Sequence, residues 1–237
     1  MNIEWQKEWE LFYRKFITYD AYKSVLEGLW VTVQIAVLGL IIGILIGTLI
    51  ALIKMIPKGH KGPGILSKIC DVYVGLFRGT PIIVQLLIGY FVLMPALGIQ
   101  ANNLVVAIVV FGMNSGAYVS ETMRSGIQAV DVGQLEAARA LGLGYWPSML
   151  KVVIPQAIKN ILPTLGNEFI SLIKETSVVS FIAVVDLTKA FRQIGDSNYK
   201  YLIPYLMLAA VYLILVMLIT QLVKLLERRL KKVDRNS

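Results

Sequence analysis

Long runs of apolar residues dominate this chain and are separated by short polar stretches. A membrane-spanning helix needs about 20 residues that are mainly apolar. Five segments meet or approach that length, and each predicts one transmembrane helix: 28–53, 81–97 (its helix starting earlier, in the amphipathic stretch from 65), 104–123, 152–185 and 203–226. The pattern therefore predicts an all-α membrane protein with five spans, whose termini lie on opposite sides of the membrane.

The segment ahead of the first span has a different pattern. Large aromatic residues recur there at helical spacing, with Lys and Glu between them: Trp5, Trp9, Phe12 and Phe16. Such a pattern is typical of an amphipathic helix that lies in the membrane interface, and equally of a helix that packs on its own protein. We expect residues 1–23 to form an N-terminal amphipathic interfacial segment.

A row of small residues marks one face of the first predicted span. Gly39, Gly43 and Gly47 are four residues apart, and Ala51 continues the row. Small side chains at this spacing let two helices approach closely in a membrane. The row predicts helix packing within the subunit, with a contact between two subunits as the alternative.

Composition narrows the class of protein further. The chain is 57% hydrophobic and only 16% charged, which leaves too little polar surface for a soluble globule of 237 residues. Its net charge of +8 would also suit a nucleic-acid binder, but the basic residues lie at the ends of apolar runs, so we expect no nucleic-acid partner. One cysteine and one histidine offer neither a disulfide framework nor a metal or nucleophile–base site.

The Lys and Arg residues outside the spans predict the orientation in the membrane. Cytoplasmic loops carry an excess of these residues. The first loop has four cations and no acid, the loop 97–103 has no charge, and the tail is basic. The N-terminus is therefore predicted outside and the C-terminus inside, with residues 231–237 as a cytoplasmic tail. The cations are Lys54, Lys58, Lys61 and Lys68 in the loop, and Lys224, Arg228, Arg229, Lys231 and Lys232 in the tail.

A short cytoplasmic segment, LEAARALGLGYWPSMLKVVIP at 135–155, is rich in Ala and Gly. Asp131 followed by Gln134 is a variant of the capping box that starts a helix, Gly142 and Gly144 end it, and Pro147 suits the first turn of another helix. A helix of about three turns is unstable alone. Its small residues Ala137, Ala138 and Ala140 therefore predict docking in a cleft of a partner, with packing on the membrane domain as the alternative.

Several motifs in this chain resemble one family. The segment carries Glu136-Ala137-Ala138, then Gly142, and ends with Val152-Val153-Ile154-Pro155, which resembles the EAA loop of permease subunits in bacterial ATP-binding cassette (ABC) importers. The usual ending is Ile-x-Leu-Pro, so only aliphatic residues differ. FRGTP at 77–81 followed by Gln85, SETMRSGIQAV at 120–130 and NEFISLIKETS at 167–177 are similar to the polar amino-acid branch, of the glutamine, histidine and arginine type.

The resemblance covers about residues 24–230 and implies a type I ABC importer permease fold with a cytoplasmic coupling helix in the loop 126–151. Glu136, Ala137, Ala138 and Gly142 would then contact the ATPase. The implied partners are a dimer of ATPase subunits, a second permease subunit (identical or related), and an extracytoplasmic amino-acid-binding protein. The implied location is the bacterial cytoplasmic (inner) membrane, which the chain crosses several times.

The sequence contains no GxxxxGK[ST] phosphate loop, and GHKGPG at 59–64 lacks its spacing. We therefore expect the chain to be a transport subunit and not an enzyme. ATP and Mg would be bound by the partner ATPase, and this chain would hold no cofactor or metal. The alternative is a self-contained ion-coupled secondary transporter of small polar solutes, although such folds usually contain internal repeats.

Charged residues in the fourth predicted span point to a polar pathway. Lys159, Glu168, Lys174 and Glu175 would together cost on the order of 10 kcal/mol if all faced lipid. They must instead face protein, water or the interface. Two polar stripes at helical spacing accompany them: Asn160, Thr164, Asn167, Ser171 and Lys174 on the fourth span, and Asn114, Tyr118, Glu121 and Ser125 on the third.

We interpret the stripes as candidate walls of a substrate pathway, with hydrogen bonding between helices as the alternative. Asn114, Asn167 and Ser171 would hydrogen-bond the polar ends of an amino acid. Glu121 or Glu168 would attract an ammonium or guanidinium group, which favours a basic or zwitterionic substrate, although Lys174 argues against this. For Arg78, the sequence leaves open an anchor at headgroup level and a pair with an acidic group.

Overall fold

The computed structural model describes residues 2–56 and 63–235. Helices account for 87% of the described residues, which contain no strand, and this confirms the predicted all-α class. The helices are α1 (Asn2–Tyr13), α2 (Ala21–Lys54), α3 (Pro63–Gly79), α4 (Ile82–Ile88), α5 (Met94–Ala96), α6 (Asn103–Gln128), α7 (Val132–Ala140), α8 (Tyr145–Ser148), α9 (Ile154–Glu175), α10 (Leu187–Asp196) and α11 (Leu202–Arg235). The predicted loop cations Lys58 and Lys61 lie outside the described residues, as do the last two residues of the predicted tail.

Wider and narrower helical turns connect several of these helices. Three are π-helical, at Arg14–Thr18, Gly89–Leu93 and Met149–Val153, and a 3₁₀ segment follows α9 at Thr176–Ile182. Ala183 then takes a left-handed backbone conformation with φ of 64°. The helix predicted to run to 185 is therefore α-helical only as far as Glu175, and its 3₁₀ continuation ends at Ile182, because a left-handed residue stops helical propagation.

Among the described residues, three helices are long and apolar enough to cross a membrane: α2, α6, and the part of α11 from Leu202 to Arg229. The consecutive helices Gly64–Gly79 and Ile82–Ala96 pass the same test as one broken span, giving a fourth. The predicted count of five is not confirmed. α9 is missing from the set because its polar stripe lowers its hydropathy.

The chain divides into two compact units. Unit one comprises Met1–Gly39, Pro81–Phe111 and Ser171–Leu218, and unit two comprises Leu40–Thr80, Gly112–Ile170 and Ile219–Ser237. Four of the five boundaries fall inside α2, α6, α9 and α11, so each of these helices contributes one part to each unit, and the fifth lies between α3 and α4.

The core of unit one forms around α10. Phe12 of α1 is buried there with Phe191 and Ile194 of α10, and Phe16 packs against the same cluster. A salt bridge of 3.0 Å between Lys200 and Glu8 supports the contact. The N-terminal segment thus packs on its own protein through these phenylalanines, while Trp5 and Trp9 on α1 stay about half exposed.

Asp186 begins α10 as a buried N-cap. Its carboxylate oxygens accept the backbone N–H groups of Thr188 and Lys189, each at 3.0 Å. These bonds satisfy two donors that a helix N-terminus otherwise leaves unpaired. Burial raises the pKa of Asp186, although the two hydrogen bonds act in the opposite direction.

Close contact between α2 and α6 organises unit two. A Cβ atom added at Gly43 would lie 2.5 Å from the Ser115 hydroxyl, and one at Gly47 would lie 2.7 Å from a Val119 methyl carbon. Neither position can hold a larger side chain without moving its neighbour. The predicted helix packing within the subunit is confirmed at these two glycines.

Candidate coupling segment and polar surface

Helix α7 starts as the sequence predicts. The carboxylate of Asp131 accepts the backbone N–H of Gly133 at 2.7 Å, which caps the helix. Gln134 does not complete a reciprocal capping box, because its side-chain oxygen accepts a hydrogen bond of 3.1 Å from Gln156 of α9. The same glutamine therefore ties α7 to α9 within unit two.

The end of α7 has the hydrogen bonds of a Schellman motif. Gly142 has a φ of +86°, its N–H bonds the Arg139 carbonyl at 3.0 Å, and the Leu143 N–H bonds the Ala138 carbonyl at 3.2 Å. Only glycine adopts this backbone conformation without strain. Gly144, predicted to help end α7, has an extended backbone and is instead the N-cap residue of α8, whereas Pro147 lies in the first turn of that helix, as predicted.

Helices α7 and α8 together form the coupling segment, residues 132–148. One face of this segment packs on the rest of unit two. Leu135 and Tyr145 contact a buried cluster that includes Met149 and Val153. The hydroxyl of Tyr145 donates to the Met55 carbonyl at 3.1 Å. These contacts hold a helix that would be too short to persist alone.

The other face of the segment is open to a partner. Glu136 and Ala137 are exposed, whereas Ala138 is only 4% exposed and packs against its own chain. Leu141 is 85% exposed and lies directly before Gly142. The sequence interpretation overlooked this leucine. An apolar residue directly before the glycine that ends a short loop helix could have indicated a contact residue.

A second polar feature of unit two surrounds Glu121. The carboxylate of Glu121 lies 2.7 Å from Arg124, 3.8 Å from Arg78 and 4.0 Å from Lys54, and Lys54 also lies 2.8 Å from Asp71. Three cations thus meet two carboxylates, an excess of one positive charge. Arg78, for which the sequence left two roles open, pairs with an acidic group.

These ion pairs change the interpretation of the α6 stripe. Because three cations compensate the charge of Glu121, its carboxylate is poorly placed to attract an ammonium group of a substrate. The Arg78 guanidinium also lies over the ring of Tyr118, 5.5 Å from its centre. Tyr118 and Glu121 are therefore brought together by Arg78.

The remaining stripe residues have different environments. Asn114 is buried, and its amide donates to the Phe77 carbonyl at 3.3 Å, so it joins α6 to α3. The amide of Asn160 donates to the Gly126 carbonyl at 3.5 Å. The other stripe members are Ser125, Thr164, Asn167 and Lys174, which are exposed, and Ser171, which is half-buried and part of unit one. Glu168, the remaining candidate pathway residue, is also half-buried.

Metal-ligating side chains do not gather in the described part of the chain. No group of three or more His, Cys, Asp or Glu residues there is arranged to hold a metal ion. The polar chemistry of unit two therefore consists of ion pairs, amides and hydroxyls.

Comparison with known proteins gives a consistent result. Residues 39–232 match the family described as binding-protein-dependent transport system inner membrane component. The arginine transport system permease protein ArtQ of Bacillus subtilis (strain 168) is 42% identical over 89% of this chain and 94% of its own. The putative glutamine transport system permease protein GlnP of Rickettsia bellii (strain RML369-C) is 41% identical over 87% and 92%.

Solved structures show the same fold. The crystal structure of an amino acid ABC transporter with histidines has a TM-score of 0.82 and 40% identity, covering 92% of this chain and 98% of that one. An inward-facing MetNI methionine ABC transporter has a TM-score of 0.71 at 19% identity, covering 87% and 95%. The second likeness concerns the fold alone.

Proposed function

This chain belongs to the family of binding-protein-dependent transport system inner membrane components, and on that premise we propose that it is the permease subunit of an ATP-driven amino-acid importer. The coupling segment carries the proposal: a capped helix that is fixed to unit two on one face and presents Glu136, Ala137 and Leu141 on the other. The substrate class rests on the names of the relatives, which are permeases for arginine and glutamine.

We propose five membrane crossings, with the N-terminus outside and the C-terminus inside. α9 is the fifth crossing, its polar stripe facing a hydrated path and not lipid. Residues 24–230 form the transmembrane domain, with residues 231–237 as its cytoplasmic tail. Residues 1–23 lie in the outer interface, where the exposed Trp5 and Trp9 suit the headgroup region.

In the proposed complex this chain contacts three kinds of partner. Two ATPase subunits bind ATP and Mg and receive α7, with Glu136, Ala137 and Leu141 in contact. Gly142 supplies the turn that sets the segment's geometry, and Ala138 holds it to its own chain. A second permease subunit, identical or related, completes the path, and an extracytoplasmic binding protein delivers the substrate.

In the proposed mechanism, ATP binding closes the two ATPase subunits and draws the coupling helices together. The permease pair then opens outward and accepts the amino acid, and hydrolysis returns it to the inward-open state. Hydroxyl and amide groups line the proposed path, from Asn160, Thr164 and Asn167 on α9 and Tyr118 on α6. These neutral groups suit a zwitterion, and Glu168 and Ser171 continue the same wall.

The test is co-purification of the ATPase after gentle solubilisation of the native membrane. Gly142→Asp places a side chain at the left-handed residue that ends α7, and Gly98→Asp is the matched control at another glycine with positive φ. We expect the wild type and Gly98→Asp to retain the ATPase and Gly142→Asp to lose it.

Retention of the ATPase at the wild-type ratio by Gly142→Asp would contradict coupling through this segment. A chain that purifies alone and transports in sealed vesicles under an ion gradient would instead support the alternative of a secondary transporter. The relatives named above do not favour that alternative, since each is a transport-system permease or an ABC transporter.

A further inference from the structure

An apolar groove of about 560 Å³ runs along unit two between α2, α9 and α11. α2 contributes Leu40 and Ile44, α9 contributes Pro163 and Gly166, and α11 contributes Leu222 and Leu226. The volume lies within the range of about 300–1,000 Å³ that is usual for small-molecule sites. The groove lies apart from α7 and from the ion pairs around Glu121, and shares only α9 with the proposed path.

Two helices that line the groove approach each other closely. A Cβ atom at Gly166 would lie 2.6 Å from a methyl carbon of Val223, so α9 and α11 are in contact there. Leu222 and Leu226, one turn apart on α11, remain 61% and 62% exposed. The α11 wall is therefore open on its outer side.

The surroundings of the groove limit what fills it. α2 and the part of α11 from Leu202 to Arg229 are candidate membrane spans. An apolar cavity does not hold ordered water, and an empty one forfeits dispersion contacts along its lining. An apolar occupant is required.

One end of the groove is polar and basic. Glu227 and Arg229 line it, and residues 224–229 contain three cations and one acid, a net charge of +2 (3 − 1). Basic residues at the end of a membrane helix attract anionic lipids. The guanidinium of Arg229 is also suited to bidentate binding of a phosphate.

We propose that an anionic phospholipid occupies this site, with one acyl chain in the groove and its phosphate at Arg229. A single acyl chain is slender enough to lie in the groove, and its headgroup phosphate complements the positive charge at the basic end.

Native mass spectrometry of the purified permease complex tests the proposal by titration with phosphatidylglycerol and with phosphatidylcholine. Leu222→Trp fills the groove, and Leu225→Trp is its control, because Leu225 is an exposed residue of the same helix that does not line the groove. Arg229→Gln removes the phosphate contact, with Arg228→Gln as its control.

We expect tight binding of one phosphatidylglycerol by the wild type and by both controls. Leu222→Trp should lose this binding event for both lipids. Arg229→Gln should weaken phosphatidylglycerol about fivefold, the factor that one cation near an anionic headgroup contributes, and leave phosphatidylcholine unchanged. If Leu222→Trp does not fold, the comparison of Arg229→Gln with Arg228→Gln still decides the headgroup contact.

Two results would overturn the proposal. The first is the lack of a difference between a variant and its control. Leu222→Trp would retain as much lipid as Leu225→Trp, or Arg229→Gln would prefer phosphatidylglycerol over phosphatidylcholine as strongly as Arg228→Gln. The second is a disulfide between two copies that carry Leu222→Cys in a Cys70→Ala background, which would show that a second copy covers the groove.

Discussion

Glu121 illustrates how one residue changes meaning once its neighbours are known. Along the sequence it belongs to a polar stripe with Asn114 and Tyr118. In the structure it compensates Arg124, Arg78 and Lys54, while Asn114 hydrogen-bonds the backbone of α3. Through these contacts both residues hold α6 in place.

Glu121→Gln should destabilise the protein, because Arg124 and Arg78 would lose their ion pairs with Glu121 and Lys54 would keep only its pair with Asp71. The double-mutant cycle with Arg124→Gln should give a coupling of about 0.5–1 kcal/mol, since the Arg124 side chain is almost half exposed. Thermal unfolding in detergent measures it. Glu136→Gln, on the exposed face of α7, is the control and should leave the stability unchanged. Additive effects of Glu121→Gln and Arg124→Gln on the free energy of unfolding would contradict the ion pair.

Asp186 gives a prediction about pH. Because burial raises the pKa of its carboxyl, the folded state keeps a proton at pH values where the unfolded chain has lost it. This contribution to stability is full below the ordinary value of about 4 and is lost as pH rises through the raised pKa. Asp186→Asn keeps a good N-cap and should remove this pH dependence, whereas Asp186→Ala should cost about 1 kcal/mol.

Thermal unfolding of the wild type and of Asp186→Asn over a range of pH measures the effect. Parallel profiles for the two proteins would show that Asp186 does not titrate differently in the folded state.

At the scale of elements, the coupling segment was largely predictable. Asp131 and Gly142 act locally, through a side-chain cap and a left-handed turn, so their roles follow from residue type and spacing. The face of α7 that packs inward was not predictable, because it depends on Leu135 meeting residues of α9 that lie far along the chain. This is why Ala138 is buried and Leu141 exposed.

Leu141→Ala should weaken binding of the ATPase about 5- to 30-fold, the effect expected for a large apolar contact at the centre of an interface. Stability should not change, because the side chain makes little contact with its own chain. Titration of the purified permease with ATPase measures the affinity, and thermal unfolding in detergent measures the stability. Leu97→Ala, at another exposed leucine, is the control, and equal affinities for the two variants would remove Leu141 from the interface.

At the scale of the whole molecule, the apolar segments of the sequence predicted five spans, and the helices match them to different degrees. α2, α6 and α11 correspond to predicted spans. The second predicted span is two helices broken at Thr80–Pro81, since Pro81 has an extended backbone with ψ of 140°. The fourth predicted span, 152–185, contains α9, whose polar stripe keeps its hydropathy below that of the candidate spans.

The proposed orientation can be tested by cysteine labelling, because Cys70 is the single native cysteine and is buried. In a Cys70→Ala background, Tyr199→Cys should react with an impermeant maleimide in intact cells. Arg139→Cys should react only after permeabilisation. The reverse pattern would place the N-terminus inside, and reaction of both in intact cells would contradict the five-span topology.

By itself, the sequence determined the features that depend on local chemistry: the apolar helices, the caps of α7 and the motifs of the family. Helix formation and partition into lipid depend on residues within a few turns of one another. Only the tertiary structure decided that Glu121 pairs with three cations, that Ala138 is buried, and that α2, α9 and α11 leave an apolar groove. Each of these depends on side chains from different helices, and their distances are set by packing at glycines such as Gly43 and Gly166.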